Sequence, residues 1–114
     1  MSGKFELKLA KNGDYHFNLL AGNGQIILSS EIYKSRAGAE NGIASIKKNG
    51  GSESNFERLA ASNGKPYFVL KSTNHQVIGQ SQMYESVAAR DNGIASVIKN
   101  APDAEIVDLT GKAY

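Results

Sequence analysis

Residues 40–50 read ENGIASIKKNG, and residues 91–101 read DNGIASVIKNA. Sliding the chain on itself by 51 positions aligns residues 5–53 with residues 56–104 without a gap, and 21 of the 49 aligned positions are identical. Such a duplication constrains the fold more tightly than any composition: whatever the first copy builds, the second must build too. A unit of about 50 residues buries only a marginal core by itself. Two units side by side can share one core.

Each copy has the same local logic. Phe5, Leu7 and Leu9 alternate with Glu6 and Lys8, the period-two pattern of a half-buried strand. Asn12-Gly13 follows, and its equivalent is Asn63-Gly64. Asn-Gly between alternating runs is a strong hairpin signal because both residues tolerate positive φ. Tyr15, Phe17 and Leu19 begin the returning strand; Gly22-Asn23-Gly24 turns the chain; Gln25 to Ser29 forms a third strand. The second copy repeats this with Phe56 to Ala60, Tyr67 to Lys71 and Gln76 to Gln80, and Pro66 falls where a strand start tolerates proline.

A helix follows each meander, beginning after Ser35 or Ser86 in the N-cap position and running to about Lys48 or Lys99. The apolar stripes Ala39-Ile43-Ile46 and Val87-Ile94-Val97-Ile98 lie on one face of each. Gly50-Gly51 stops the first helix and Ala101-Pro102 the second. Gly42 and Gly93 interrupt the helices at equivalent places, each at a cost of about 1 kcal/mol relative to alanine. The expected gain is a close approach between helix backbone and a neighbouring element. Asn41 and Asn92 beside them are expected to hydrogen-bond a loop or strand edge, or else to form a pseudo-symmetric ligand site.

A last strand, Glu105 to Leu109, is short and β-branched, and Thr110 to Tyr114 reads as a frayed tail. The fold class is α+β: a tandem β-β-β-α-β motif in one mainly antiparallel sheet, pseudo-twofold, with two helices on one face. Residues 1–55 form the first copy and residues 56–114 the second, packed into one compact domain.

The pattern resembles the YegP-like family of small uncharacterised bacterial proteins in its two-copy form. The likeness rests on Asn23…Gln25-Ile26-Ile27 and Asn74…Gln76-Val77-Ile78, on Tyr33-x-Ser35 and Tyr84-x-Ser86, and on Asn-Gly-Ile-Ala-Ser at 41–45 and 92–96. It implies that the copies exchange terminal strands, as single-copy members would between the halves of a dimer. It carries over no catalytic or binding residues. Gly50-Gly51 departs from the Ala-Pro that the family places there, which loosens the first junction.

The chemistry available is limited. There is no cysteine, so disulfides and thiolate catalysis are excluded, and the two histidines, His16 and His75, have no ligand-spaced partners. Both read as surface residues. No carboxylate pair marks general acid–base work, and no phosphate-cradling glycine loop is present. Neither a catalytic residue nor a cofactor nor a metal is expected. No apolar run approaches a membrane span, and no signal-peptide stretch opens the chain, so the expectation is a cytoplasmic monomer, an internal pseudo-dimer.

Net charge is +2, with seven basic and five acidic groups in residues 1–55 and six of each in residues 56–114. That is a weak field for nucleic acid. The best nucleic-acid candidates are Lys47 and Lys48 with Tyr33 and Tyr84 as stacking groups, although packing as lids over the core is the plainer role for the tyrosines. A small non-enzymatic protein-interaction or accessory domain is the leading reading. Weak binding of RNA or single-stranded DNA is the alternative.

Overall fold

The computed structural model describes residues 3–110. The strands are β1 (Lys4–Leu9), β2 (Tyr15–Leu20), β3 (Ile26–Ser29), β4 (Phe56–Ala60), β5 (Pro66–Lys71), β6 (Val77–Gln80) and β7 (Glu105–Asp108). The helices are α1 (Arg36–Asn49) and α2 (Val87–Asn100), and a 3-10 turn spans Glu53–Asn55. The seven strands form one sheet in the order β4-β5-β6-β3-β2-β1-β7. Neighbours run antiparallel except β1 and β7, which are parallel. The expected α+β architecture is therefore present, pseudo-twofold about the β3–β6 seam. The terminal strand crosses in one direction: β7 leaves the second copy and pairs with β1 of the first, while β4 pairs only with β5 of its own copy.

Local chemistry sets the elements. Each hairpin closes through a left-handed glycine, Gly13 at φ +89° and Gly64 at φ +83°. Asn12 and Asn63 do not share the positive φ that their type tolerates. Their carboxamide oxygens instead accept the N–H of Asp14 and Lys65, each at 3.0 Å. Both helices start as read: Ser35 Oγ accepts from Gly38 N–H and Ser86 Oγ from Ala89 N–H, each at 3.0 Å. Such caps contribute about 1 kcal/mol apiece.

The core lies between the sheet and the helix layer. Phe5, Leu7, Phe17 and Leu19 of one copy, and Phe56, Phe68 and Leu70 of the other, meet Ile43, Ile46, Ile94 and Val97 from the helices. Val87 departs from the sequence expectation: it is 56% exposed, in a first turn of α2 where Ala88 is exposed as well, so the buried stripe begins further along the helix. Each helix bridges the copies, α1 packing on β2 and β6, and α2 on β5 and β3. A buried Phe or Leu side chain contributes about 1.5–3 kcal/mol, and here much of that burial comes from the other copy.

Equivalent residues meet each other at the pseudo-twofold, so they cannot both be large. A Cβ on Gly79 would lie 2.7 Å from Leu28 Cδ2, and Leu28 is its own repeat equivalent. In the helix layer a Cβ on Gly50 would lie 2.9 Å from the Cβ of Ala101, again its equivalent. Gly50 has an ordinary right-handed φ of −72°. Its glycine is therefore needed for this contact and does not loosen the junction.

The two sheet edges differ. Leu7 is fully buried beside β7, whereas its equivalent, Arg58 on the uncovered strand β4, is exposed. Arg58 reaches Asp91 at 3.1 Å and Glu53 at 2.8 Å. A charge on the core-facing side of a short edge strand discourages further strand addition.

β7 is tied down at its end. Arg36 pairs with Asp108 and donates to Thr110 Oγ1 at 2.8 Å, while Thr110 N–H donates to Asp108 at 2.9 Å. Thr110 is thus held rather than frayed, and Gly111 to Tyr114 lie outside the described residues. The Arg36 hydrogen bond, followed by those from Thr110, lowers the Asp108 carboxyl to about 2.

Two outcomes are expected. Gly79→Val should destabilise the chain by about 1–3 kcal/mol through overpacking, and Leu28→Ala in the same chain should recover part of that loss, both read by urea unfolding. Asp108 has a folded-state pKa below its unfolded one, so its contribution is complete above the ordinary carboxylate range and fades as pH falls toward 2. Wild type should therefore exceed Asp108→Asn in urea midpoint at pH 6, and the gap should close near pH 2.

Candidate functional site

The helical glycines are explained by the tyrosines. Tyr33 follows β3 and stacks on Phe17 at 6.0 Å and 10°; Tyr84 follows β6 and stacks on Phe68 at 6.2 Å and 12°. Each ring then runs under the following helix. A Cβ on Gly42 would collide with Tyr33 Oη and lie 2.8 Å from its Cζ, and one on Gly93 would meet Tyr84 Oη and Cζ in the same way. The close approach is therefore between helix backbone and a tyrosine of the same copy. Burial, with a lesser effect from Glu31, raises the Tyr33 pKa above the ordinary phenol value. Half-buried and clamped between phenylalanine and helix, these rings serve as lids over the core. One face of each ring is taken by a phenylalanine.

Backbone pairing fixes the tyrosines from the other side. Tyr15 and Tyr33 exchange two N–H···O bonds at 2.7 Å each. In the second copy only Tyr84 N–H to Pro66 O, at 2.8 Å, is made, since proline has no N–H to return.

Asn41 and Asn92 do not meet the sequence expectation. Both are exposed, and among the described residues neither side chain hydrogen-bonds a loop or strand edge. Their positions in the helix turn them outward while Gly42 and Gly93 face the tyrosines. Lys47 and Lys48 diverge. Lys47 is half-buried in the place of Ile98, while Lys48 is exposed like its equivalent Lys99. None of these lysines forms an ion pair among the described residues. The structure brings Asn41 and Lys48 together along one flank of α1, where they and the β5–β6 turn enclose an open groove of about 400 Å³.

The helix-free face of the sheet carries one row across all seven strands, Glu57, Val69, Gln80, Ser29, Asn18, Glu6 and Val107, polar except for Val107 and the buried Val69. Beside it Ile26 and Val77, repeat equivalents, are 47% and 38% exposed. A shallow depression at the seam joins Ile26 to Ser29 and Gln80. His16 lies on this face opposite Lys8. It is half-buried rather than at the surface, with a buried Nδ1 that has no partner among the described residues. His75 is exposed at φ +70°, in the turn position that Gly24 fills in the first copy.

Sequence reading missed Asn49 and Asn100. Both are buried, and each donates its carboxamide to a serine carbonyl one turn back, Ser45 or Ser96, at 2.8 Å. Their identity in the two copies was the available signal. It also missed Ser30 and Ser81, whose hydroxyls accept the N–H of Phe17 at 2.9 Å and of Phe68 at 3.0 Å just past the end of the β2–β3 and β5–β6 pairing.

Among the described residues no cluster of three or more His, Cys, Asp or Glu could hold a metal ion, and no helix is long and apolar enough to cross a membrane. The geometry defines a tandem β-β-β-α-β protein with tyrosine-clamped helices. The family profile described as a domain of unknown function, DUF1508, matches twice, at residues 10–57 and 61–108. A UPF0339 protein of Acinetobacter baylyi is 58% identical over 111 residues, covering 97% of this chain and 100% of that protein. The UPF0339 protein YegP of Yersinia pestis is 58% identical over 108 residues, covering 95% and 96%. A solution structure of a UPF0339 protein from Shewanella oneidensis superimposes with a TM-score of 0.92 at 50% identity, covering 100% of this chain and 97% of that one. YegP from E. coli, a protein of unknown function, gives 0.92 at 48%, covering 99% and 97%. The chain belongs to this YegP/UPF0339/DUF1508 family of internally duplicated bacterial proteins.

The tyrosine–glycine contact sets two effects in opposition. Gly42→Ala gains about 1 kcal/mol of helix propensity, but the new methyl group collides with a ring held on both sides, at a cost of about 1–3 kcal/mol. Net destabilisation is expected in urea unfolding. Tyr33→Phe in the same chain should relieve part of it, because the hydroxyl is the nearest atom.

Proposed function

We propose that the chain is a small non-enzymatic protein-interaction or accessory domain, working as a monomer whose second copy replaces the partner of a dimer. What carries the reading is the pairing of exposed apolar residues by the repeat. Ile26 matches Val77 on the helix-free face, and Ile32 matches Met83 just beyond the same two strands. Apolar side chains left in water at equivalent places on both sides of the seam suit a docking face. Ser29 and Gln80 between them supply neutral hydrogen-bonding groups. The stacking of Tyr33 on Phe17 and of Tyr84 on Phe68 leaves these rings less suited to the nucleic-acid alternative.

The test is capture from native bacterial lysate on the tagged chain, with and without nuclease, beside the Ile26→Asp/Val77→Asp variant. Protein partners that survive nuclease and are lost with the variant are the expected result. Retention of nucleic acid, with every protein lost on digestion, would overturn the reading in favour of nucleic-acid binding.

A further inference from the structure

The duplication offers a control within a single chain. Most positions identical in the two copies have a structural role, as core rings, turn glycines, helix caps or buried asparagines. A few identical positions have none. Asn41/Asn92, Ala44/Ala95, Lys48/Lys99, Gln25/Gln76 and Ala37/Ala88 are all exposed, and none of their side chains makes a hydrogen bond or ion pair among the described residues. Ala37/Ala88 stands apart in the first turn of each helix, and the other four pairs are not scattered. Asn41, Ala44, Lys48 and Gln76 line the same groove, α1 contributing three and the β5–β6 turn of the other copy the fourth. The pseudo-twofold gives Asn92, Ala95, Lys99 and Gln25 the corresponding places along α2 and the β2–β3 turn, since α2 packs on β3 as α1 does on β6. There, however, Asp103 and Glu105 stand against the turn at Ala21 and Gly22, so the carboxylate-free setting belongs to the α1 groove.

The lining has a definite chemistry. It contains no carboxylate and one ammonium; of its four carboxamides Asn49 and Asn74 are already hydrogen-bonded, while Asn41 and Gln76 keep unused donors and acceptors, with a small alanine beside Asn41. A carboxamide can donate to a carbonyl and accept from an N–H at once, which suits a peptide backbone. An uncompensated ammonium suits a carboxylate. Asn41 and Lys48 are seven residues apart, about 10 Å along a helix, the span of about three extended residues.

We infer that the α1 groove is a binding site for an extended acidic peptide segment of a partner protein. Asn41 and Gln76 hold its backbone and Lys48 its carboxylate; the counterpart at Asn92, Gln25 and Lys99 is weakened by the neighbouring carboxylates of Asp103 and Glu105. This does not rest on the apolar seam, which the Ile26→Asp/Val77→Asp variant probes separately.

The test is an amide-shift titration of the full, nitrogen-15-labelled chain with acetyl-Ala-Ala-Glu-Ala-amide. The matched Gln peptide and a five-nucleotide oligoadenylate serve as comparisons. Shifts are expected in residues 41–49 with 72–76, with a smaller response in residues 92–100 with 21–25, where Asp103 and Glu105 stand near. The Glu peptide should bind about threefold more tightly than the Gln peptide, the size of one exposed charge pair. Lys48→Ala/Lys99→Ala should abolish that difference, and Asn41→Ala/Asn92→Ala should weaken both peptides. Because these side chains are exposed and unpaired, the variants should keep the wild-type spectrum elsewhere. No shift at about 10 mM peptide, weaker than any useful affinity, would overturn the proposal. So would equal response to both peptides, shifts outside the grooves, or response to the oligonucleotide alone.

Discussion

Everything in this structure depends on each helix packing across the sheet of the other copy. A three-stranded meander with one helix leaves an apolar stripe and an apolar sheet face half covered. Because α1 reaches β6 and α2 reaches β3, burial that neither unit could complete becomes mutual. The crossing strand β7 adds to this by covering β1, with Arg36 and Thr110 holding Asp108 at its end. Duplication thus turns what a dimer would supply by association into an intramolecular contact, with no loss of stability on dilution.

That contact has a geometric consequence. Along a true twofold axis, identical residues meet themselves. In a duplicated chain they are free to diverge, and here they have: Leu28 against Gly79 and Ala101 against Gly50 fill space that two large equivalents could not share. The edges have diverged too, with Leu7 under β7 and Arg58 guarding β4. One contact internal to each copy is unchanged. Tyrosine, phenylalanine and helical glycine interlock in the same way at Tyr33, Phe17 and Gly42 as at Tyr84, Phe68 and Gly93.

Much of this was legible in the sequence. Period-two runs located the strands, Ser35 and Ser86 the helix starts, and the repeat the pseudo-twofold. The need for a glycine at 42 and 93 was legible as well. The atom that demands it was not, because the tyrosine lies nine residues upstream and only the fold brings its hydroxyl under the helix. Val87 fitted the helical period but not the burial, since periodicity does not say where along a helix the buried stripe begins. Asn41 and Asn92 looked structural by residue type, and only solvent exposure shows that they are unused. Asn49 and Asn100 carried the opposite difficulty: their identity between copies marked them, but burial of an amide cannot be read from spacing.

The central claim is that the two copies share one core and fold as one unit. Native-state hydrogen exchange measures this most directly, through the amides of Leu19 in β2 and Leu70 in β5, each at the centre of its own copy. The account predicts that both exchange only through global opening, with equal protection, and that Gly79→Val lowers both by the same amount. Loss of protection in one copy while the other stays closed would contradict it, since each copy would then hold a core of its own.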